Sequence, residues 1–269
     1  MKILTAVVNN PIFIEIQYYT LQKYFKGEYE FIVFNDAKDF PDFTNGGDIT
    51  LTTQIKETCS RLKITCIDIP NSEHQYIKEP GIRTAHSMNY ILEYQKRYPD
   101  QYLVLDSDMF LIDDFDIHRY SFYSCAVIHQ SRLDNRIHYF WNGIYYFDTT
   151  RMKDMELLNW SCSPYCDTGG MMQEWLRKHR LENGEYSREI YLMPYLSSCH
   201  WTLTELPDNL KENKGLVDFL STDPRNNKEQ LFCELYDHLF LHYRCGGNWR
   251  QEGLDLHRLL AEKLKQSLI

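Results

Sequence analysis

The segment Tyr102–Ile112, YLVLDSDMFLI, restricts the fold more than any other part of the chain. Its first residues form a short apolar run, and such a run reads as a strand buried on both faces, the kind that parallel sheets contain. The run stops at Asp106-Ser107-Asp108, and apolar residues resume at once. Two carboxylates at i and i+2 are costly in an apolar setting unless positive charge compensates them. A divalent cation at the strand end, held by hard carboxylate oxygens, provides that charge. The segment therefore reads as the floor of an active site.

The flanking sequence alternates between strand and helix patterns. Lys2–Val8 reads as a strand. Pro11–Phe25 reads as a helix, with Pro11 in its first turn and Asn9 or Asn10 as its cap. A strand over Tyr29–Phe34, a helix over Ile49–Leu62, a strand over Lys63–Ile69 and a helix over Gly81–Arg97 lead into Tyr102–Leu105. This alternation predicts an α/β protein with a mostly parallel, Rossmann-like sheet flanked by helices. Ligands bind such sheets outside the carboxyl ends of the strands. Asn9-Asn10, Asn35-Asp36 and Asp106-Ser107-Asp108 all fall at those ends and are expected to meet at one crevice.

The second half is less regular. Ser124–His129 and Gly143–Phe147 read as strands, and Gly170–His179 and Leu254–Ser267 as helices. Connections such as Ser197–Asn213 read as functional loops or part of an acceptor lobe. No linker rich in Pro, Ser or Gly interrupts the chain. The expected organisation is one domain over residues 1–269 with two lobes.

Composition removes several function classes. The net charge of −9 argues against general nucleic-acid binding, which needs a basic field. No stretch reads as a transmembrane helix or a secretory apolar region. The eight cysteines lack the density of a secreted scaffold, so reduced thiols and a cytoplasmic location are expected. Cys162 and Cys166 lack a second pair at zinc-site spacing and read as small buried residues. The 20 tyrosines reflect either base bias in the genome or a groove that stacks on the C–H face of sugars.

Taken together, these motifs resemble the nucleotide-sugar-dependent glycosyltransferases of the GT-A fold that carry a DxD motif. The resemblance runs from the first strand to about residue 250, and it implies a nucleotide-binding lobe over 1–115 and a smaller lobe for acceptor and donor sugar, with the C-terminal helix, over 116–269. It implies that Asp106 and Asp108 hold a metal ion, Mn²⁺ with Mg²⁺ as the alternative, and that Asp106 and Ser107 also contact the donor. The late run Leu239–Trp249, LFLHYRCGGNW, matches a metal-binding His followed by a glycine loop and an aromatic, which assigns His242 as third ligand. Gly246 and Gly247 would then approach a diphosphate through their backbone N–H groups. Within Tyr139–Asp148, Asn142-Gly143 matches a pair at which the Asn touches the donor sugar; a plain turn before a strand is the alternative. Arg83 in GIRTAHSMN matches a basic residue that reaches the diphosphate, with His86 as a lesser candidate and a solvated helix face as the alternative. Val7, Asn9, Asn10 and Asp36 match strand-end contacts to base and ribose.

Asp167 stays open among three roles. It is a general base for the acceptor hydroxyl, a ligand for sugar hydroxyls, or the N-cap of the helix starting near Gly170. Asp167-Thr168-Gly169 copies an aspartic-protease signature, but it occurs once, and that chemistry needs two carboxylates sharing a proton. The implied reaction moves a hexose from a nucleotide diphosphate sugar, UDP-linked by preference, to a hydroxyl of a glycan or small molecule. The rivals are a non-catalytic module of the same fold and a DxD phosphatase; the latter is disfavoured because Phe110 stands where Thr is usual. The amphipathic C-terminal helix either packs on the domain or touches a membrane surface.

Overall fold

The structure, a computed structural model, describes residues 1–132, 137–180, 185–247 and 253–269. In chain order its elements are β1 (Lys2–Val7), α1 (Pro11–Tyr24), β2 (Phe25–Lys26), β3 (Glu30–Asn35), α2 (Leu51–Leu62), β4 (Thr65–Asp68), α3 (Pro80–Arg97), β5 (Gln101–Asp106), β6 (Met109–Leu111) and β7 (Phe115–Asp116). Then follow β8 (Cys125–Arg132), β9 (Ile137–Asp148), α4 (Gln173–Lys178), β10 (Ile190–Leu192), β11 (Tyr195–Leu196), α5 (Asp208–Lys211), α6 (Lys214–Ser221), β12 (Glu234–Tyr236), β13 (Phe240–His242) and α7 (Leu254–Leu268).

Seven strands form one sheet in the order β10-β8-β9-β5-β1-β3-β4. All its pairings are parallel except the two made by β9. From β1 the chain moves outward through β3 to β4, then returns to the other side of β1 for β5. The direction of winding reverses between β1 and β5, and such a reversal opens a crevice at the carboxyl ends of the strands. Strands from both sides of residue 115 share this sheet. A second, antiparallel sheet, β11-β12-β13-β6, stands beside it.

Helices cover both faces of the large sheet because its central strands are apolar on both faces. Ile3 and Val7 of β1 pack with Ile14 and Leu21 of α1 and Ile55 and Cys59 of α2. Leu4 and Val104 pack on the other face with Met88, Ile91 and Leu92 of α3 and Trp175 of α4. A third cluster joins Phe13 and Ile16 of α1 to the second sheet, to α6, and to Leu260, Ala261, Leu264 and Leu268 of α7. The inner face of α7 is thus a packing face. No helix among the described residues is long and apolar enough to cross a membrane.

Three expectations need correction. Asn142-Gly143 does not turn the chain into a strand starting at Gly143; both lie inside β9, a strand of 12 residues. A Cβ on Gly143 would lie 2.0 Å from the Trp141 ring, so this glycine makes room for an indole folded over its own strand. The helix expected over Gly170–His179 is a 3₁₀ turn (Gly170–Met172) followed by the short α4. Asn10 holds the N-cap position of α1, but its side chain makes no capping bond.

Candidate metal centre and cavity

The register of the second sheet brings the late histidine to the strand-end carboxylates. β13 pairs with β6, which directly follows Asp108, and places His242 opposite Met109. The Tyr243 N–H continues this ladder to the Asp108 carbonyl at 2.9 Å. Ligand atoms of Asp106, Asp108 and His242 then all lie within 4.8 Å of one another. Asp108 Oδ1 and His242 Nε2 are 3.2 Å apart. Neighbouring ligands of an octahedral ion with ~2.1 Å bonds stand about 3 Å apart, so this spacing suits a shared divalent cation. The donor set of two carboxylates and an imidazole fits such an ion, and three protein ligands leave it open positions.

The electrostatics carry the same signature. Burial, followed by repulsion from Asp108, pushes the Asp106 pKa up to about 6. Burial also disfavours the Asp108 carboxylate, but the His242 charge and the Gly246 N–H hold its pKa below the ordinary value. Burial opposes charge on His242, yet Asp108 on one side and Glu234 on the other push its pKa up to about 10. Perturbed pKa values at the bottom of a cleft mark a functional site.

Glu234 is the residue that sequence reasoning missed. Its Oε2 lies 2.9 Å from His242 Nδ1 and also accepts from the Tyr236 hydroxyl at 2.8 Å. The β12–β13 hairpin sets Glu234 directly across from His242. A carboxylate there fixes the imidazole tautomer with Nε2 free to ligate. The sequence held one signal, a Glu eight residues before the His across an Asp-His turn whose residues both have positive φ (49° and 59°). Glu234→Gln is expected to weaken Mn²⁺ affinity about 10–100-fold, read by calorimetry.

Gly246 closes the site. Its N–H donates to Asp108 Oδ2 at 2.7 Å. An added Cβ would sit 2.9 Å from that same oxygen, so only glycine allows this approach. The turn leading to it holds Arg244 and Cys245 at φ values of 67° and 62°, left-handed backbone that is strained for non-glycine residues. The aromatic of the late run, Trp249, lies outside the described residues.

Above this cluster opens a cavity of about 590 Å³. Asp36, Arg83, Asp106, Ser107, Asp108, Asn142, Asp167, His242 and Gly247 line it. Val7, Asn9, Asn10, Gly143 and Gly246 do not line it. Val7 is buried in the core, and Val8 faces the cavity in its place. The Asn9 Nδ2 donates to the carbonyls of Thr44 (2.6 Å) and Gly247 (3.0 Å), tying two rim loops together. Asn10 Nδ2 is buried without a hydrogen-bond partner among the described residues. Asp36 accepts from Lys38 at 2.6 Å, from Asn71 at 2.9 Å and from Ser87 at 2.6 Å, a buried network that also encloses His74.

Arg83 lines the cavity, but protein groups engage its guanidinium. Nη1 bonds both oxygens of Asp42 at 2.8 Å, and Nε bonds the Ile77 carbonyl at 2.6 Å. Asp42 was absent from the sequence reading because the pairing spans 41 positions. Asp167 is exposed and sits against the first turn of α3, beside Gly81, where a carboxylate suits the helix N-terminus. One of its oxygens accepts the Thr168 N–H at 2.7 Å. It does not cap α4, which begins at Gln173 after the 3₁₀ turn.

Trp141 lies 5.3 Å from the His242 ring. Gly143→Ala would drive its indole off β9 and is expected to cost about 1–3 kcal/mol, read as a lowered Tm with altered tryptophan fluorescence.

Fold and site define an α/β protein with a candidate divalent-metal centre at the switch point of its sheet. No protein-family model matches the chain, and no curated protein matches it. Among solved structures it is similar to a crystal structure of an active-site mutant of LgtC, with 13% identity, a TM-score of 0.39, and coverage of 71% of this chain and 72% of that one.

Proposed function

We propose that the protein is a metal-dependent glycosyltransferase of the GT-A type, moving a hexose from a nucleotide diphosphate sugar, UDP-linked by preference, to an acceptor hydroxyl. The observation that carries this reading is the cluster of Asp106, Asp108 and His242 at the base of a cavity beyond the carboxyl ends of β1 and β5. Its oxygen and nitrogen donors suit Mn²⁺, with Mg²⁺ as the alternative. When bound, the ion neutralises charge growing on the leaving diphosphate.

The chain's own groups do the rest. Asp108, fixed by Gly246 and His242, anchors the ion, and Asp106 completes the pair from the end of β5. Ser107 and the Gly247 backbone flank the diphosphate. Asp36, held by Lys38, Asn71 and Ser87, organises the end that takes base and ribose. Asn142 orients the hexose. Arg83 acts by holding Asp42 and the adjoining rim rather than by gripping phosphate. Asp167 faces the acceptor, as base or as hydroxyl ligand.

A thermal-shift panel of UDP-, GDP-, CMP- and dTDP-linked sugars, with Mn²⁺ and with EDTA, tests the reading. A ligand at ~100 times its Kd adds ~2.7 kcal/mol of stability. One nucleotide is expected to raise the Tm with Mn²⁺ and to lose the effect in EDTA. No response to any of them sinks the proposal. A metal-dependent shift without donor hydrolysis or transfer points to a non-catalytic binding module instead.

A further inference from the structure

Aromatic rings are stacked beside the candidate metal centre. Trp141 lies against Tyr236 with centroids 4.9 Å apart and planes 17° apart, and Tyr195 lies against Tyr236 at 5.4 Å and 13°. The stack is anchored at its middle ring, because Tyr236 is buried and bonded to Glu234. On one side of it Tyr195 is 41% exposed and lines the cavity. A polar rim surrounds it. The Tyr139 hydroxyl donates to Gln130 Oε1 at 2.8 Å, and the Arg132 guanidinium lies 5.4 Å from the Tyr139 ring. Burial raises the Tyr139 pKa, and Arg132, Asp167 and Tyr195 all act on it electrostatically. Gln130, Arg132, Tyr139, Asp167 and Tyr195 all line the one cavity, so these groups form one neighbourhood.

A flat, rigid aromatic face bordered by an amide, a guanidinium and a carboxylate matches one ligand chemistry especially well. A pyranose has an apolar C–H face and a rim of hydroxyls. Holding Tyr195 in a stack before the ligand arrives removes part of the ordering cost of binding.

We propose that this end of the cavity is a saccharide site, in which a pyranose lies on Tyr195 with its hydroxyls bonded by Gln130, Arg132 and Asp167, and that this saccharide is the acceptor. The second part rests on the transferase reading. In the transfer, the bond between the donor sugar's C1 and its phosphate oxygen breaks, and the electron pair leaves with the diphosphate. A new bond joins C1 to the acceptor oxygen, whose proton passes to Asp167 or to the leaving diphosphate.

Saturation-transfer NMR with methyl hexopyranosides, with and without UDP and Mn²⁺, tests the site, with glycerol as the control polyol. Saturation is expected on the pyranose C–H protons and not on glycerol. Tyr195→Ala is expected to weaken saccharide binding at least about tenfold, while Tyr195→Phe keeps it. Equal binding by wild type and Tyr195→Ala overturns the proposal, as does the absence of saccharide binding in every condition. The two readings fail separately. If no nucleotide sugar shifts the Tm but pyranosides still bind through Tyr195, the transferase falls and the saccharide site stands.

Discussion

Asp108→Asn is expected to abolish the Mn²⁺-dependent thermal response and to lower transfer by on the order of 10²–10³-fold or more. Asp108 is the joint of the centre, touching His242 through one oxygen and the Gly246 N–H through the other. The variant removes one of the two direct ion pairs of His242 among the described residues and leaves the one with Glu234, so some stability is lost as well. Asp106→Asn separates function from folding. Burial and the Asp108 charge raise the Asp106 pKa to about 6, so its ionised form destabilises the metal-free protein at neutral pH. The sign follows from the raised value: stability in EDTA falls as pH climbs from the ordinary carboxylate range through about 6, and stays lower above it. The Asn variant lacks that fall. At pH 7 in EDTA it is expected to be more stable than wild type by about 2 kcal/mol, discounted for water in the cavity, yet unresponsive to Mn²⁺. Melting curves across pH 4–8 with and without metal check both halves. An Asp106→Asn protein that still binds Mn²⁺ as wild type does would remove this residue from the centre.

Metal loading is expected to depend steeply on pH. With its pKa near 10, His242 carries a proton in the metal-free protein at neutral pH. To ligate through Nε2 it must lose one. Between about pH 6 and 10 each bound ion therefore displaces about one proton, and apparent affinity rises roughly tenfold per pH unit. Below about 6 Asp106 must also ionise, and the dependence steepens. In EDTA the sign reverses for stability. The raised His242 pKa contributes stability that is full below its ordinary value and is lost as pH rises through about 10. Calorimetry in buffers of different ionisation enthalpy measures the released protons directly. Affinity that is flat between pH 7 and 9 sinks the assignment of His242.

What the sequence made legible was local. Apolar runs and helical periodicities placed β1, α1, β3, α2, α3 and β5 to within about two residues of their observed ends, because each is stabilised by burying its own pattern. Asp106 and Asp108 stood out because charge in an apolar run is costly. The missing parts depend on pairings distant in sequence. Glu234 acquires its place from a hairpin register that short strands do not announce. Arg83 is held by Asp42, across a separation that no local pattern encodes. Gly143 carried a strong turn signal, and tertiary context overrode it because Trp141 needed the space. The second sheet escaped notice because three of its four strands are three residues long and the fourth is two.

The bond from Gly246 to Asp108 joins positions 138 residues apart. During synthesis the two carboxylates emerge long before the imidazole, the glycine and the supporting glutamate. A growing chain thus carries acidic groups at the end of β5 without the partners that complete the candidate metal centre. Closing so long a loop is entropically slow and comes late in folding. The candidate centre therefore doubles as a record of completion, since β6 and β13 must zip together before its three side chains meet. A chain cut after β10, by a stalled ribosome or a protease, still contains all seven strands of the large sheet yet lacks His242, Glu234 and Gly246.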